Sequence, residues 1–140
     1  MKQQISVITL GIADLARSKR FYQTGFGWQA VFENDEIAFY QMNGLVLGTF
    51  LKDALAEDMS RTPGNSPGAY ALAHNVADKE MVVPLMEDLI RAGGRLLRTA
   101  DAPLHGGFRG YVEDPDGHAW EIAWNPAWSI DDDGRVTFGV

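Results

Sequence analysis

Apolar, β-branched runs alternate along the chain with short polar turns, and the runs fall into two sets. Residues 5–12 (ISVITLGI) and 69–76 (AYALAHNV) each read as a strand, and each stops at an Ala-Asp pair, Ala13-Asp14 and Ala77-Asp78. An aspartate directly after a strand is a good helix N-cap, because its carboxylate accepts a hydrogen bond from a free N–H of the first turn. The stretches that follow, LARSKRFYQT and KEMVVPLMEDLIRA, read as helices that end at Gly25 and Gly27 and at Gly93-Gly94. Pro84 predicts a late start or a kink in the second helix, since beyond the first turn it deletes a backbone hydrogen bond. Three strand-like runs come after each helix: 28–32, 37–42 and 45–51, then 95–99, 108–113 and 118–124. The last two of each set are joined by Asn43-Gly44 and by Asp114-Pro115-Asp116-Gly117, whose glycines supply the positive φ that hairpin turns need.

The predicted fold class is therefore α+β, built as two tandem βαβββ modules in one structural domain. The first module is expected over 1–52 and the second over 69–126. A polar connector over 53–68, rich in Gly, Pro and Ser, is expected between them, with ALAEDM forming a short helix. Residues 127–140 read as a C-terminal extension pinned to the surface by Trp128.

Composition narrows the function classes. The 140 residues are 46% hydrophobic and 22% charged, which is the balance of a globular domain. Twelve basic against nineteen acidic residues give a net charge of −7, which argues against nucleic acid or an anionic membrane as partner. The absence of cysteine removes disulfides, zinc ribbons and thiol chemistry. No apolar stretch approaches the ~20 residues of a membrane span, so a cytoplasmic protein is expected.

VITLGIADLARSKRFY with the later GFGW, and then GFRGYVEDPDGHAWEIAWNP, resemble the vicinal oxygen chelate superfamily, which includes glyoxalase I, bleomycin-resistance proteins and extradiol dioxygenases. The resemblance covers about residues 5–126. It implies two modules whose sheets form a half-open mixed β cup with helices on the outer face, and a homodimer. In the enzymes of that superfamily four side chains, two from each module, hold a divalent metal in the cup. The ligand on the last strand of the second module resembles Glu121, four residues after Gly117, and the corresponding position after Gly44 is Gly48. The first-strand ligands lie seven residues before the capping aspartates, at Val7 and Ala71. Of these four positions only Glu121 can bind a metal, whereas metals of this kind take three or four His or carboxylate ligands. The adjacent positions Ser6, Ile8, Leu47, Thr49, Tyr70 and Leu72 offer none. The expectation is a cup without a metal cofactor and without catalytic residues of the family type.

Residues expected to face the cup are Val7, Thr9, Val46, Gly48, Phe50, Ala71, Ala73, Asn75 and Glu121, with Trp28 and Phe39 as walls. Such a hollow suits an organic molecule with an apolar or aromatic body. Glu121 reads either as a ligand anchor or proton acceptor, or as one half of a salt bridge or hydrogen bond to Arg, Tyr or Trp, with Arg109 as the available partner. His105 lies in a Gly-rich loop that could overhang the cup and pair with Glu121, or stand in solvent. His118 is expected at the rim, and His74 on the helix-facing side of its strand. The run Asp131-Asp132-Asp133-Gly134 lacks the glutamate of an EF-hand and reads as a turn.

Three functions remain in play. The first is a metal-independent protein that binds a small organic molecule through Glu121, Val7, Gly48, Ala71, Ala73, Phe50, His105 and Arg109. The second is a lyase, isomerase or dioxygenase with a non-standard metal set of His105, His118 and Glu121. The third is a structural or interaction module with a filled cup.

Overall fold

The computed structural model describes residues 1–62, 64 and 67–140. The expected connector thus includes residues 63, 65 and 66, which lie outside the described residues. The first sheet contains β1 (Val7–Ile12), β2 (Ala30–Glu33), β3 (Ile37–Gln41) and β4 (Val46–Leu51) in the order β1-β4-β3-β2. The second contains β5 (Leu72–Asn75), β6 (Arg95–Asp101), β7 (Phe108–Glu113) and β8 (Ala119–Trp124) in the equivalent order β5-β8-β7-β6. In each sheet the first strand pairs in parallel with the last, and the other pairs are antiparallel. Residues 127–140 contain the two-stranded ribbon β9 (Ser129–Ile130) and β10 (Val136–Thr137).

The helices behave as their caps dictate. The Asp14 carboxylate accepts from the Arg17 N–H at 2.8 Å and starts α1 (Leu15–Arg20), which runs on into a π turn over Phe21–Gly25. Asp78 departs from the expectation: it makes no side-chain cap bond, and a 3₁₀ turn over Lys79–Met81 follows it. The α-helical part, α3 (Val82–Arg91), begins later, so Pro84 falls in its first turn, where no intrahelical N–H is needed. Between the sheets, α2 spans Lys52–Asp58. No helix among the described residues is long and apolar enough to cross a membrane.

One apolar core joins the modules. Leu10, Tyr22, Tyr40 and Leu47 of the first pack in the same cluster as Val82, Leu89, Trp120 and Ile122 of the second. Helices α1 and α3 cover this side of the sheets, and the alternation of strand side chains sends the remaining residues to the opposite, open face. Three sequence expectations need correction here. Strand β2 begins at Ala30 rather than Trp28, because the Trp28 N–H is taken by the Tyr22 carbonyl at 3.1 Å. Trp28 is also no wall of the open face: it stacks on Phe26 at 4.0 Å beside the core. Trp128 does not pin the tail to the body. Its ring is 37% exposed and packs edge-on against Phe138 of the tail itself, while the Asn43 amide donates to the Asp133 carbonyl at 2.6 Å.

Candidate functional site

The ladder fixes which side chains share the open face. In the second sheet one rung runs Ala73, Glu121, Tyr111, Arg98 across four strands, and the next runs Asn75, Ala123, Arg109, Asp101. In the first sheet the corresponding rung is Thr9, Gly48, Phe39, Phe32, flanked by Gly11-Phe50-Ile37 and Val7-Val46-Gln41. Thr9 therefore lies beside Gly48, and Val7 is two residues nearer the strand start, beside Val46. Likewise Ala73 lies beside Glu121, while Ala71 falls before β5. Val7 is 47% exposed, and Thr9, Ala71 and Ala73 are exposed as well, so this face is open in the single chain.

Glu121 does not pair with Arg109. Its Oε2 accepts the Tyr111 hydroxyl proton at 2.5 Å, directly across the β7–β8 ladder. Arg109 is held by Asp101, which also accepts from Arg98 Nη2 at 2.9 Å. The reason is register: Arg109 stands opposite Ala123 and next to Asp101, one rung away from Glu121. The hydrogen bond to Glu121 is the leading cause that lifts the Tyr111 phenol above its ordinary value, with the two arginines pulling the other way. The carboxylate, phenol and two guanidiniums give this face a polar strip that can orient a ligand by charge and hydrogen bonds. Tyr111 and Arg98 were missed by the reading of motifs. The signal was present: counting outward from the Asp114–Gly117 turn places 111 opposite 121.

The histidines do not converge on Glu121. His118 is buried rather than at the rim; its Nε2–H donates to the Gly11 carbonyl at 2.8 Å, and its Nδ1 is hydrogen-bonded with the Tyr70 hydroxyl. The Asp114 carboxylate beside it takes the His118 N–H at 2.9 Å and the Tyr22 hydroxyl at 2.7 Å, so this end of β8 is a structural tie between the modules. His105 is exposed in the loop after β6, at the Trp124 end of β8, three residues or ~10 Å of strand from Glu121. His74 faces the core side against Phe26 and Trp28.

The metal implied by the superfamily does not fit these residues. The four positions carry Val7, Gly48, Ala71 and Glu121, and among the described residues no group of three or more His, Cys, Asp or Glu is placed to hold an ion. The non-standard set of His105, His118 and Glu121 is likewise not assembled. At Gly48 the space for a side chain is taken by Phe39, whose ring carbon would lie 3.0 Å from a Cβ there.

Residues 4–122 match the model of the Glyoxalase/Bleomycin resistance protein/Dioxygenase superfamily. Among solved structures, a glyoxalase-related enzyme from Fulvimarina pelagi is 61% identical, with a TM-score of 0.97 over 99% of this chain and 100% of that one. Lactoylglutathione lyase from Agrobacterium tumefaciens is 18% identical, with a TM-score of 0.73 over 94% and 100%. The genomically encoded fosfomycin resistance protein of Listeria monocytogenes is 21% identical, with a TM-score of 0.70 over 89% and 95%, and these two likenesses speak for the fold alone. No curated protein matches the chain. The family match spans most of the sequence and the paired four-stranded sheets are those of its solved relatives, so the chain belongs to the glyoxalase/bleomycin resistance protein/dioxygenase superfamily.

Proposed function

We propose that this chain binds a small organic molecule on the open face of its second sheet without a metal cofactor, and that it does so as a homodimer. The observation that carries the reading is the rung Ala73-Glu121-Tyr111-Arg98: one carboxylate already hydrogen-bonded to a phenol, with no His or second carboxylate on that rung. Such a pair accepts an amine or hydroxyl at the carboxylate, while Arg98 and Arg109 suit an anionic or carbonyl group on the same molecule. Val7, Gly48 and Phe50 stand on the open face of the first sheet, which is apolar and suits the body of the ligand. A second copy of the chain is the partner that would close these exposed faces; a cytoplasmic setting belongs to the same proposal. His105, in its exposed loop, has no part in it.

Native mass spectrometry and elemental analysis on protein purified without chelators test the reading together. A co-purifying organic mass that is lost in Glu121→Gln, on a dimer with far less than one transition metal per chain, supports it. About one metal per chain, or no ligand across a broad thermal-shift screen, overturns it. The description of the Fulvimarina pelagi protein as an enzyme favours a second reading, in which Glu121 serves as a general base on the bound molecule. Conversion of the captured molecule by wild-type protein but not by Glu121→Gln separates the two.

A further inference from the structure

On the helix-side seam between the two sheets lies a hollow of about 210 Å³. Ile8 and Leu47 come to it from the first sheet and Leu72, Ala73 and Trp120 from the second, with Trp28 and Met42 also in the wall. Ile8, Leu47, Leu72 and Trp120 alternate along their strands with Val7, Gly48, Ala73 and Glu121, so they point to the opposite side of the sheets. Ala73, the neighbour of Glu121 on its rung, also borders the hollow, so the hollow abuts the Glu121–Tyr111 face at that one residue while its aromatic wall lies on the other side of the sheet. An apolar cavity of ~150 Å³ is enough to hold benzene, so the space here fits one substituted ring. Its walls are aromatic: Trp28 and Trp120 stand 5.6 Å apart with their planes at 66°, the edge-to-face geometry in which rings attract.

Among the described residues, His74 supplies the one titratable group at this wall. Its ring is half-buried against the edges of Phe26 and Trp28. Burial alone pushes the imidazole below its ordinary value, with no carboxylate or hydrogen-bond partner acting on it among the described residues. A neutral imidazole has one ring nitrogen that accepts a hydrogen bond from a ligand. A second hollow of about 460 Å³ shares Trp28, Met42, Asn43 and His74 with the first, and Ile130 and Gly134 of the C-terminal ribbon form its far wall. That ribbon lies beyond residues 4–122, so part of the enclosure is built from a segment outside the superfamily match.

We infer that the helix-side seam is a second ligand site, which takes a small planar aromatic molecule whose O–H or N–H donates to His74. A ligand of seven or eight heavy atoms reaches a Kd on the order of a millimolar to tens of micromolar in such a site.

The test is 4-fluorophenol titrated into the full-length protein and followed by ¹⁹F NMR, with fluorobenzene as the probe that lacks the donor. Saturable 1:1 binding is expected, with nuclear Overhauser contacts from the probe to the Met42 and Leu72 methyl groups. His74→Phe should weaken 4-fluorophenol about five- to ten-fold, the value of one hydrogen bond in a partly buried site, and leave fluorobenzene within about two-fold. Leu72→Trp should abolish binding of both. Glu121→Gln, on the other face, should change neither, which keeps this site distinguishable from the one proposed above. The contacts in wild-type protein decide the matter even where a variant fails to fold. No saturable binding, contacts that miss Met42 and Leu72, or loss of binding in Glu121→Gln overturns the inference.

Discussion

The middle rung of the first sheet reads Thr9-Gly48-Phe39-Phe32, and the same rung of the second reads Ala73-Glu121-Tyr111-Arg98. Position by position, a glycine stands where the other sheet has a carboxylate, a phenyl ring where it has a phenol, and a second phenyl ring where it has a guanidinium. Beneath the sheets the contrast takes another form. The first module buries the hydroxyls of Ser18, Tyr40 and Thr49 with no hydrogen-bond partner among the described residues. Burial, with the Glu33 charge behind it, lifts the Tyr40 phenol to about 12. In the second module the buried Asp114 accepts from Tyr22, Asp116 and His118, and His118 ties Gly11 of the first module to Tyr70. One ladder thus supports two chemistries, because strand pairing is made by backbone groups and leaves the side chains of each face free to differ. The ties between the halves centre on Asp114, Asp116 and His118 of the second module, which bond Tyr22, Ala13, Arg17 and Gly11 of the first, whereas Ser18, Tyr40 and Thr49 take no part in them.

The largest effect is expected where that contrast is sharpest. Asp114→Ala removes the shared acceptor of three buried or part-buried donors and should cost about 3 kcal/mol or more in urea denaturation. Thr49→Val removes a hydroxyl that has no partner, and should be neutral or stabilising by up to about 1 kcal/mol. Equal losses from both would erase the distinction. Asp114 also carries a pH signature. Burial lifts its carboxyl above the ordinary carboxylate value, against the pull of His118 and the Tyr22 hydroxyl. The folded chain then holds this proton to a higher pH than the unfolded chain does, so the contribution is present at low pH and is lost as pH rises through the raised value. Denaturation of wild type and Asp114→Asn between pH ~3.5 and ~7, the range above an ordinary aspartate, should show that loss in the wild type and not in the variant.

A middle-sized effect separates the two faces. A Cβ at Gly110 on β7 would meet the Met86 side chain at 2.5 Å and the Arg98 carbonyl at 2.9 Å, on the packed side of the second sheet. Gly110→Ala should cost about 1–3 kcal/mol, because the backbone carbonyl has nowhere to go. At Gly48 the neighbour is the Phe39 ring at 3.0 Å, and that ring is only half-buried on the open face. There Gly48→Ala should stay within about 0.5 kcal/mol of wild type, the small clash being offset by the strand preference for alanine over glycine. A thermal melt of each variant checks the pair.

Much of this fold was legible because repetition marks it: strand, aspartate, helix and Gly turn recur in order, and the parity of AWEIAW put Trp120 and Ile122 inside and Glu121 outside. That Val7, Gly48 and Ala71 carry no His or carboxylate is a fact of the sequence, which needs only counting. What escaped was pairing across space. Arg109 looked available to Glu121 because it is near in sequence, but β-ladder register gave that carboxylate to Tyr111 and gave Arg109 to Asp101. His118, just after a turn glycine, looked like a rim residue and was buried by β1 of the other module, a contact 107 residues away in the chain. Asp78 matched Asp14 in sequence but not in bonding, because the 3₁₀ turn that accommodates Pro84 changes which N–H groups are free.

The smallest effect sharpens the rung itself. Tyr111 titrates above its ordinary value chiefly because its proton is shared with Glu121. Glu121→Gln should bring the phenol back toward the ordinary 10, seen by the ultraviolet absorbance that grows in as phenol becomes phenolate. The sign follows from the same linkage. A phenol held protonated in the folded chain adds stability below pH 10 and loses it as pH rises through the raised value, so wild type should soften there and Glu121→Gln should not. Because the pair is part-exposed, the whole change in stability should be about 1 kcal/mol or less. The matching variant on the other sheet is Phe39→Tyr, which places a phenol on the rung opposite Gly48, where β4 offers no acid. Its hydroxyl should titrate near the ordinary value. A raised titration there would mean that the open face of the first sheet, and not the Glu121 carboxylate, sets the behaviour of a phenol on this rung.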